Sequence, residues 1–279
     1  MTTGPFDCLV YVDASLRGDW ALSLAALLPA REERTFHLLA TERDAAARPD
    51  LLESAALRLA GARAVRRVVR PGPPRRAVVA EAEEGSYGLV IVPPAGRNAL
   101  QRMLKGSRVA SVVRGVHAPV LVARRPPSRL DRVLAAVSGG DASEAVVAAA
   151  AELASGLEGH VDYLHVASEV ALPFAPHDGR PHAPDEDVAG APPDALHSAQ
   201  AALARAGHTG ALVVREGLVV DEVLDAFEAG AYDLLVVGAS SQVEHPRLGG
   251  ENVTQRIVLG CPGSVLVVHA SRRLAGPAA

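Results

Sequence analysis

Gly85-Ser86-Tyr87-Gly88-Leu89-Val90-Ile91-Val92 and, 145 positions later, Gly230-Ala231-Tyr232-Asp233-Leu234-Leu235-Val236-Val237 are two versions of one segment. The same shift, with no gap, lays Val68-Val69-Arg70-Pro71-Gly72 on Val213-Val214-Arg215-Glu216-Gly217. A period this long is one whole domain, not a solenoid unit, so the chain is a tandem duplication. Each copy therefore serves as a control for the other. A residue type kept in both is one the fold needs; a difference marks where one copy has changed or lost a role.

Working outward from the repeat, Leu89–Val92 and Leu234–Val237 read as the fourth strand of each copy. The first copy opens on Cys8-Leu9-Val10-Tyr11-Val12, an apolar run suited to a strand covered on both faces. After Asp13-Ala14-Ser15, Trp20, Leu24, Leu27 and Leu28 recur at helical spacing. The pattern then predicts strand 36–41, helix 51–61, strand 65–70, a Pro71–Pro74 turn, helix 75–84, helix 108–115 and strand 120–123. The second copy repeats it with strands at 133–137, 161–166, 211–215 and 265–268. Its predicted helices cover 142–155, 195–206, 219–228 and 253–259. Strands alternating with helices imply an α/β protein of two doubly wound, five-stranded parallel-sheet domains with right-handed crossovers. The linker Arg124–Ser128, with two prolines, separates residues 1–125 from 126–279. Within the second domain the segment 168–193, with six prolines, reads as an insertion.

The bulk numbers narrow the class. At 279 residues, 49% hydrophobic and 22% charged, the chain is globular with room for two cores. Its net charge of −4, with acids and bases reading as mixed along the chain, leads to the expectation of no basic footprint for nucleic acid or an anionic membrane. No apolar run reaches the roughly 18 residues a membrane span needs. Met1–Phe6 lacks a basic segment followed by an apolar one, and two cysteines make no disulfide framework. These features lead to the expectation of a reduced, cytoplasmic protein, with Cys8 an inert thiol inside a strand.

In open parallel sheets, ligands lie beyond the carboxyl ends of the strands where strand order reverses. That places one crevice near Asp13 and 93–107, and another near Ser138 and 238–251. In the first copy Pro93-Pro94-Ala95-Gly96 is followed, across nine intervening residues, by Gly106-Ser107 and a helix. Glycines let a backbone approach an anion, and a helix N-terminus with a hydroxyl favours phosphate. This spacing resembles the G-x2-G-x9-G-[ST] signature of the universal stress protein family. The resemblance extends over both copies, through Val12-Asp13-Ala14-Ser15, the Gly72 and Gly217 turns, and Ala118-Pro119-Val120-Leu121-Val122. It implies a five-stranded parallel sheet, ATP as a bound nucleotide in those members that bind one, with magnesium, and pairing through the last strand. In this chain such pairing would make the two domains an intrachain pseudo-dimer, with a further homodimer left open.

Carried over residue by residue, the resemblance assigns Gly96, Gly106 and Ser107 to the phosphates and Asp13 to the ribose and adenine. Gly238 and Gly250 form the second, weaker set. Both copies depart from the signature. Pro93 stands where the first glycine belongs, fixing φ and removing an N–H. In the second copy Ser241 replaces the second glycine, the spacing to Gly250 is one residue short, and Glu251 replaces the Ser/Thr. Ser138 replaces the acid after the first strand, with Asp141 nearby. Asp13 and Ser15 also suit the capping of the following helix, and Glu251 with Asn252 the capping of another. His177, Asp178, His182, Asp185, Glu186 and Asp187 match no regular zinc spacing and read as a solvated loop. No G-x-S-x-G, H-E-x-x-H or Walker-type Gly-Lys-[ST] is present. The expectation is a non-enzymatic regulator that binds an adenine nucleotide. Two alternatives stand beside it: a nucleotide-independent interaction protein, and a slow ATP hydrolase.

Overall fold

Runs of valine and leucine too short for helices become strands covered by helices. The first copy supplies β1 (Asp7–Tyr11), β2 (Thr35–Thr41), β3 (Ala64–Arg70), β4 (Leu89–Val92) and β5 (Val120–Val122). The second supplies β6 (Arg132–Val137), β7 (His160–Ala167), β8 (Leu212–Glu216), β9 (Leu234–Gly238) and β10 (Ser264–Val268). Between them lie α1 (Gly18–Ala26), α2 (Glu42–Ala47), α3 (Leu51–Arg58), α4 (Pro74–Glu84), α5 (Asp141–Ser155), α6 (Val219–Ala229) and α7 (Val253–Gly260). The computed structural model describes residues 7–15, 17–29, 31–94, 112–113, 115–126, 128–138, 141–155, 160–167, 201, 210–239 and 253–269. The insertion 168–193 lies outside these residues, as do all of helix 195–206 but residue 201 and most of helix 108–115.

Predicted and observed strands agree to within a residue or so. The short helix α2 was not anticipated, although Thr41-Glu42-Arg43-Asp44 is a capping-box pattern. The Thr41 hydroxyl accepts a bond from the Asp44 amide at 3.2 Å and so starts the helix.

The strand order is β3-β2-β1-β4-β5-β10-β9-β6-β7-β8. Pairing is parallel within each copy, and β5 meets β10 antiparallel, with Leu121 opposite Leu266. The two expected five-stranded sheets are thus halves of one ten-stranded sheet. The predicted seam strands join because each would otherwise leave a row of backbone groups unpaired.

Side chains reinforce this seam. The Arg124 amide donates to Ser264 Oγ at 3.0 Å, and that hydroxyl donates back to the Arg124 carbonyl at 2.9 Å. The Arg124 guanidinium donates to the carbonyls of Leu259, at 3.4 Å, and Cys261. These lie at the C-terminus of α7, where unpaired carbonyls and the helix dipole favour a cation. Arg34 of the first copy also reaches Glu152 of α5 at 3.6 Å, with side chains only 5% and 16% exposed. On that face of the sheet Cys8, Val10 and Phe36 belong to one apolar core with Val133, Ala149 and Leu266.

The repeated Gly-x-Tyr now has a cause. A Cβ at Gly85 would stand 2.4 Å from the Tyr87 ring, and one at Gly230 only 2.1 Å from the Tyr232 ring. Each tyrosine folds back over the glycine that ends the preceding helix, so a side chain there would displace it.

Candidate functional site

In the first copy β1 lies between β2 and β4, and the chain reverses its direction of travel across the sheet there. The carboxyl ends of β1 and β4 therefore frame a crevice. The equivalent crevice in the second copy lies between β6 and β9.

The first crevice is built from the turn after β1. The Val12 amide donates to the Leu39 carbonyl at 2.8 Å, which ends the pairing with β2. Asp13 follows, and its Oδ1 accepts from the Ser15 amide at 2.9 Å and from the Ser15 hydroxyl at 2.5 Å. Ser15 Oγ in turn accepts from the Arg17 amide at 3.2 Å. Helix α1 then packs so tightly on this turn that a Cβ at Gly18 would stand 2.3 Å from the Asp13 carbonyl oxygen and 2.8 Å from Oδ1. Asp13 thus organises the turn before α1; no side-chain bond caps the helix itself, whose N-cap is Arg17. Pro93 and Pro94 follow β4. Gly96, Gly106 and Ser107 lie outside the described residues.

A second polar group flanks this end of the sheet, and the sequence reading did not single it out. The Tyr11 hydroxyl donates to Asp44 Oδ2 at 2.7 Å, and the Thr41 hydroxyl donates to the same oxygen at 2.5 Å. Burial first, and then the adjacent Asp44 carboxylate, push the Tyr11 hydroxyl above its ordinary range, so it remains a donor. The only local signal was the capping-box spacing; the tyrosine comes from 33 residues away.

The second crevice differs. Ser138 stands at the end of β6, and its amide donates to the buried Ser143 hydroxyl at 3.0 Å. His165 Nδ1 lies 2.9 Å from the Val137 carbonyl. Gly238 closes β9, and its carbonyl accepts from the Thr254 hydroxyl at 2.9 Å, which ties the first loop glycine to the start of α7. The Ala239 amide donates to the Val268 carbonyl at 2.7 Å. Gly250, Ser241, Glu251 and Asn252 lie outside the described residues, and so does the 177–187 cluster. Among the described residues no group of three metal-binding side chains occurs.

Neither thiol is poised for chemistry. Burial pushes both Cys8 and Cys261 up to about 11, so neither forms thiolate at neutral pH. No helix among the described residues is long and apolar enough to cross a membrane.

Several solved structures superpose over nearly the whole chain. A universal stress protein from Archaeoglobus fulgidus DSM 4304 superposes with a TM-score of 0.70 at 15% identity, covering 96% of this chain and 97% of its own. A functionally unknown protein from Pseudomonas aeruginosa PAO1 gives 0.65 at 17% identity, with 95% and 92% covered. At such identities they show a shared fold. None of the curated proteins matches the chain. The model of the universal stress protein family matches residues 9–124 and again 129–269, each span one copy of the repeat. Two matched spans, a doubly wound parallel sheet in each and a near full-length superposition lead to one assignment: the chain is a tandem member of the universal stress protein family.

Proposed function

We propose that this protein is a stress-associated regulator, without classical catalysis, that takes an adenine nucleotide at the first crevice. The observation that supports this reading is the carboxylate of Asp13 at the mouth of the β1–β4 switch point, with β4 leading into the Gly96…Gly106-Ser107 spacing. In this reading Gly96, Gly106 and Ser107 present amides and a hydroxyl to the phosphates, with magnesium alongside. Asp13 keeps Oδ1 in its turn and offers its other oxygen to a ribose hydroxyl. Gly238 and Gly250 make a weaker second site, because Ser138 offers no carboxylate and Glu251 would repel a terminal phosphate.

Denaturing the purified protein and assaying the supernatant for adenine nucleotide tests this directly, with calorimetry against ATP and magnesium as the second arm. Binding that disappears in Gly106→Val supports the first crevice; binding that survives moves the site to the second copy. No released nucleotide and no heat would leave a nucleotide-independent interaction protein. Phosphate release lost in Asp13→Ala with Gly106→Val would bring back the slow hydrolase.

A further inference from the structure

Charge is not evenly mixed along this chain. Residues 54–80 hold seven arginines and no acid. They run from the end of α3 through β3 into α4, and Arg63, Arg67, Arg75 and Arg76 are exposed. The duplication shows which of these charges the fold needs. Arg70 is kept as Arg215, and both are paired to the following helix: Arg70 with Glu81 at 2.6 Å, Arg215 with Glu222 at 3.3 Å. The others are not kept. Arg66, Arg67, Arg75 and Arg76 become Ala211, Leu212, Val220 and Asp221. Over the aligned spans 64–84 and 209–229, the first copy carries five arginines against three glutamates. The second carries one arginine against five acids. Of those acids Glu216, Asp221, Asp225 and Glu228 are exposed.

These two spans sit at opposite ends of the sheet. Among the described residues β3 pairs only with β2, and β8 only with β7. The family's usual seam is already closed within the chain by β5 and β10. Each end strand exposes a valine at the same position of the repeat, Val69 at 48% and Val214 at 54%. Because the seam is antiparallel, β8 runs opposite to β3, so a second copy placed beyond the end of the sheet meets it antiparallel.

We infer that the arginine-rich β3 end of one molecule docks on the acidic β8 end of a second copy of this chain. Charged side chains on an edge strand normally block pairing. Here two β3 ends repel, two β8 ends repel, and only the unlike pair attracts. Such a contact is head-to-tail and extends into short open chains unless its rotation closes a ring.

Sedimentation of the full chain tests this. Between about 10 and 500 μM at low salt, the weight-average mass should rise about twofold or more above a single chain, and return at ~0.5 M salt as screening removes the attraction. A variant with Arg67→Glu and Arg76→Glu, and another with Glu216→Arg, Asp221→Arg and Asp225→Arg, should each stay single because both of their ends then carry one sign. All five positions are exposed, so folding should survive, which circular dichroism would check. An equimolar mixture of the two variants should associate again. A wild type of single-chain mass throughout, or variants that associate unmixed, or a mixture that stays apart, would overturn the inference. Retention of a DNA duplex by a wild type that does not self-associate would reassign the arginines to a polyanion.

Discussion

At the amino end of each half of the sheet a tyrosine, buried at Tyr87 and half-buried at Tyr232, is held by polar partners, and the two copies hold it with opposite arrangements. The strand registers align Asp7 with Arg132 and His37 with Asp162. In the first copy the Tyr87 hydroxyl donates to Glu81 Oε1 at 2.6 Å and lies 3.3 Å from His37 Nδ1, while His37 Nε2 lies 3.3 Å from Asp7. In the second copy the Tyr232 hydroxyl donates to Asp162 Oδ2 at 2.6 Å. Arg132 stands 3.7 Å from the same carboxylate and over the tyrosine ring at 5.1 Å. Ala226 has replaced Glu81 at the helix position. The fold therefore requires a tyrosine over its glycine and an acceptor for the hydroxyl. It does not specify which element supplies the acceptor, or which strand carries the nitrogen-bearing partner.

The contrast is sharpest at Asp162, where one carboxylate serves several groups. It accepts from Tyr232, from the Ala211 amide at 2.7 Å, and lies 2.8 Å from His160 Nε2. The first copy spreads those duties over Glu81, His37 and Asp7. Asp162→Ala should therefore cost about 3–5 kcal/mol in denaturant unfolding, because one buried carboxylate is the shared acceptor for several donors at once. Asp7→Ala should cost about 1 kcal/mol, since Tyr87 keeps Glu81. Equal losses would mean that the two copies are not organised differently.

The seam offers the next largest effect. Glu152→Ala leaves the Arg34 guanidinium buried without its carboxylate, which should cost about 2–4 kcal/mol. Burial raises the Glu152 carboxyl and Arg34 pulls it down, so Arg34→Met with Glu152→Leu should recover much of the loss. Failure of that double variant to recover would show that the pair positions the two copies as well as neutralising itself.

Gly72 and Gly217 both hold left-handed backbone, at φ +87° and +142°. Nothing lies within 4 Å of a Cβ at Gly72, whereas one at Gly217 would stand 3.1 Å from the Glu222 side chain. Gly72→Ala should cost about 1 kcal/mol from strain alone, and Gly217→Ala more. Thermal melts would rank them, and the reverse order would show that the turn after β8 yields more readily than the one after β3.

The smallest effect concerns pH. Burial is the main cause lowering the proton affinity of both His37 and His269, and His117 adds to it for His269. His269 Nε2 is buried with no hydrogen-bond partner among the described residues. Below the ordinary value of 6.5 the unfolded chain therefore takes up these protons before the folded one does. Stability should fall as pH drops from about 6.5, and stay level above it. His269→Gln should make that acid-side slope shallower; an unchanged slope would remove His269 from the effect.

Element order was legible because it depends on local pattern. Apolar runs such as Leu89–Val92 and the glycine turns at Gly72 and Gly217 recur 145 residues apart, and a duplicated pattern can be checked against itself. The seam strands were legible for the same reason. The crevice was legible as a place, through Asp13 and the end of β4, but the bonding of Asp13 was not. Sequence left ribose contact and helix capping equal, and the fold spends Oδ1 on the Ser15 turn.

By itself, then, the sequence determined the duplication, the alternation of strands and helices, and the family, all carried by short-range periodicity and spacing. Only the tertiary structure decided that the seam is antiparallel, that Arg124 caps a helix 137 residues away, and that His37 and Asp162 exchange roles at one position. It also decided that the two ends of that sheet carry opposite charge. Such features depend on which distant side chains share a dry or an exposed surface. Charge and hydrogen-bond partners are chosen through space, and no period along the chain records them.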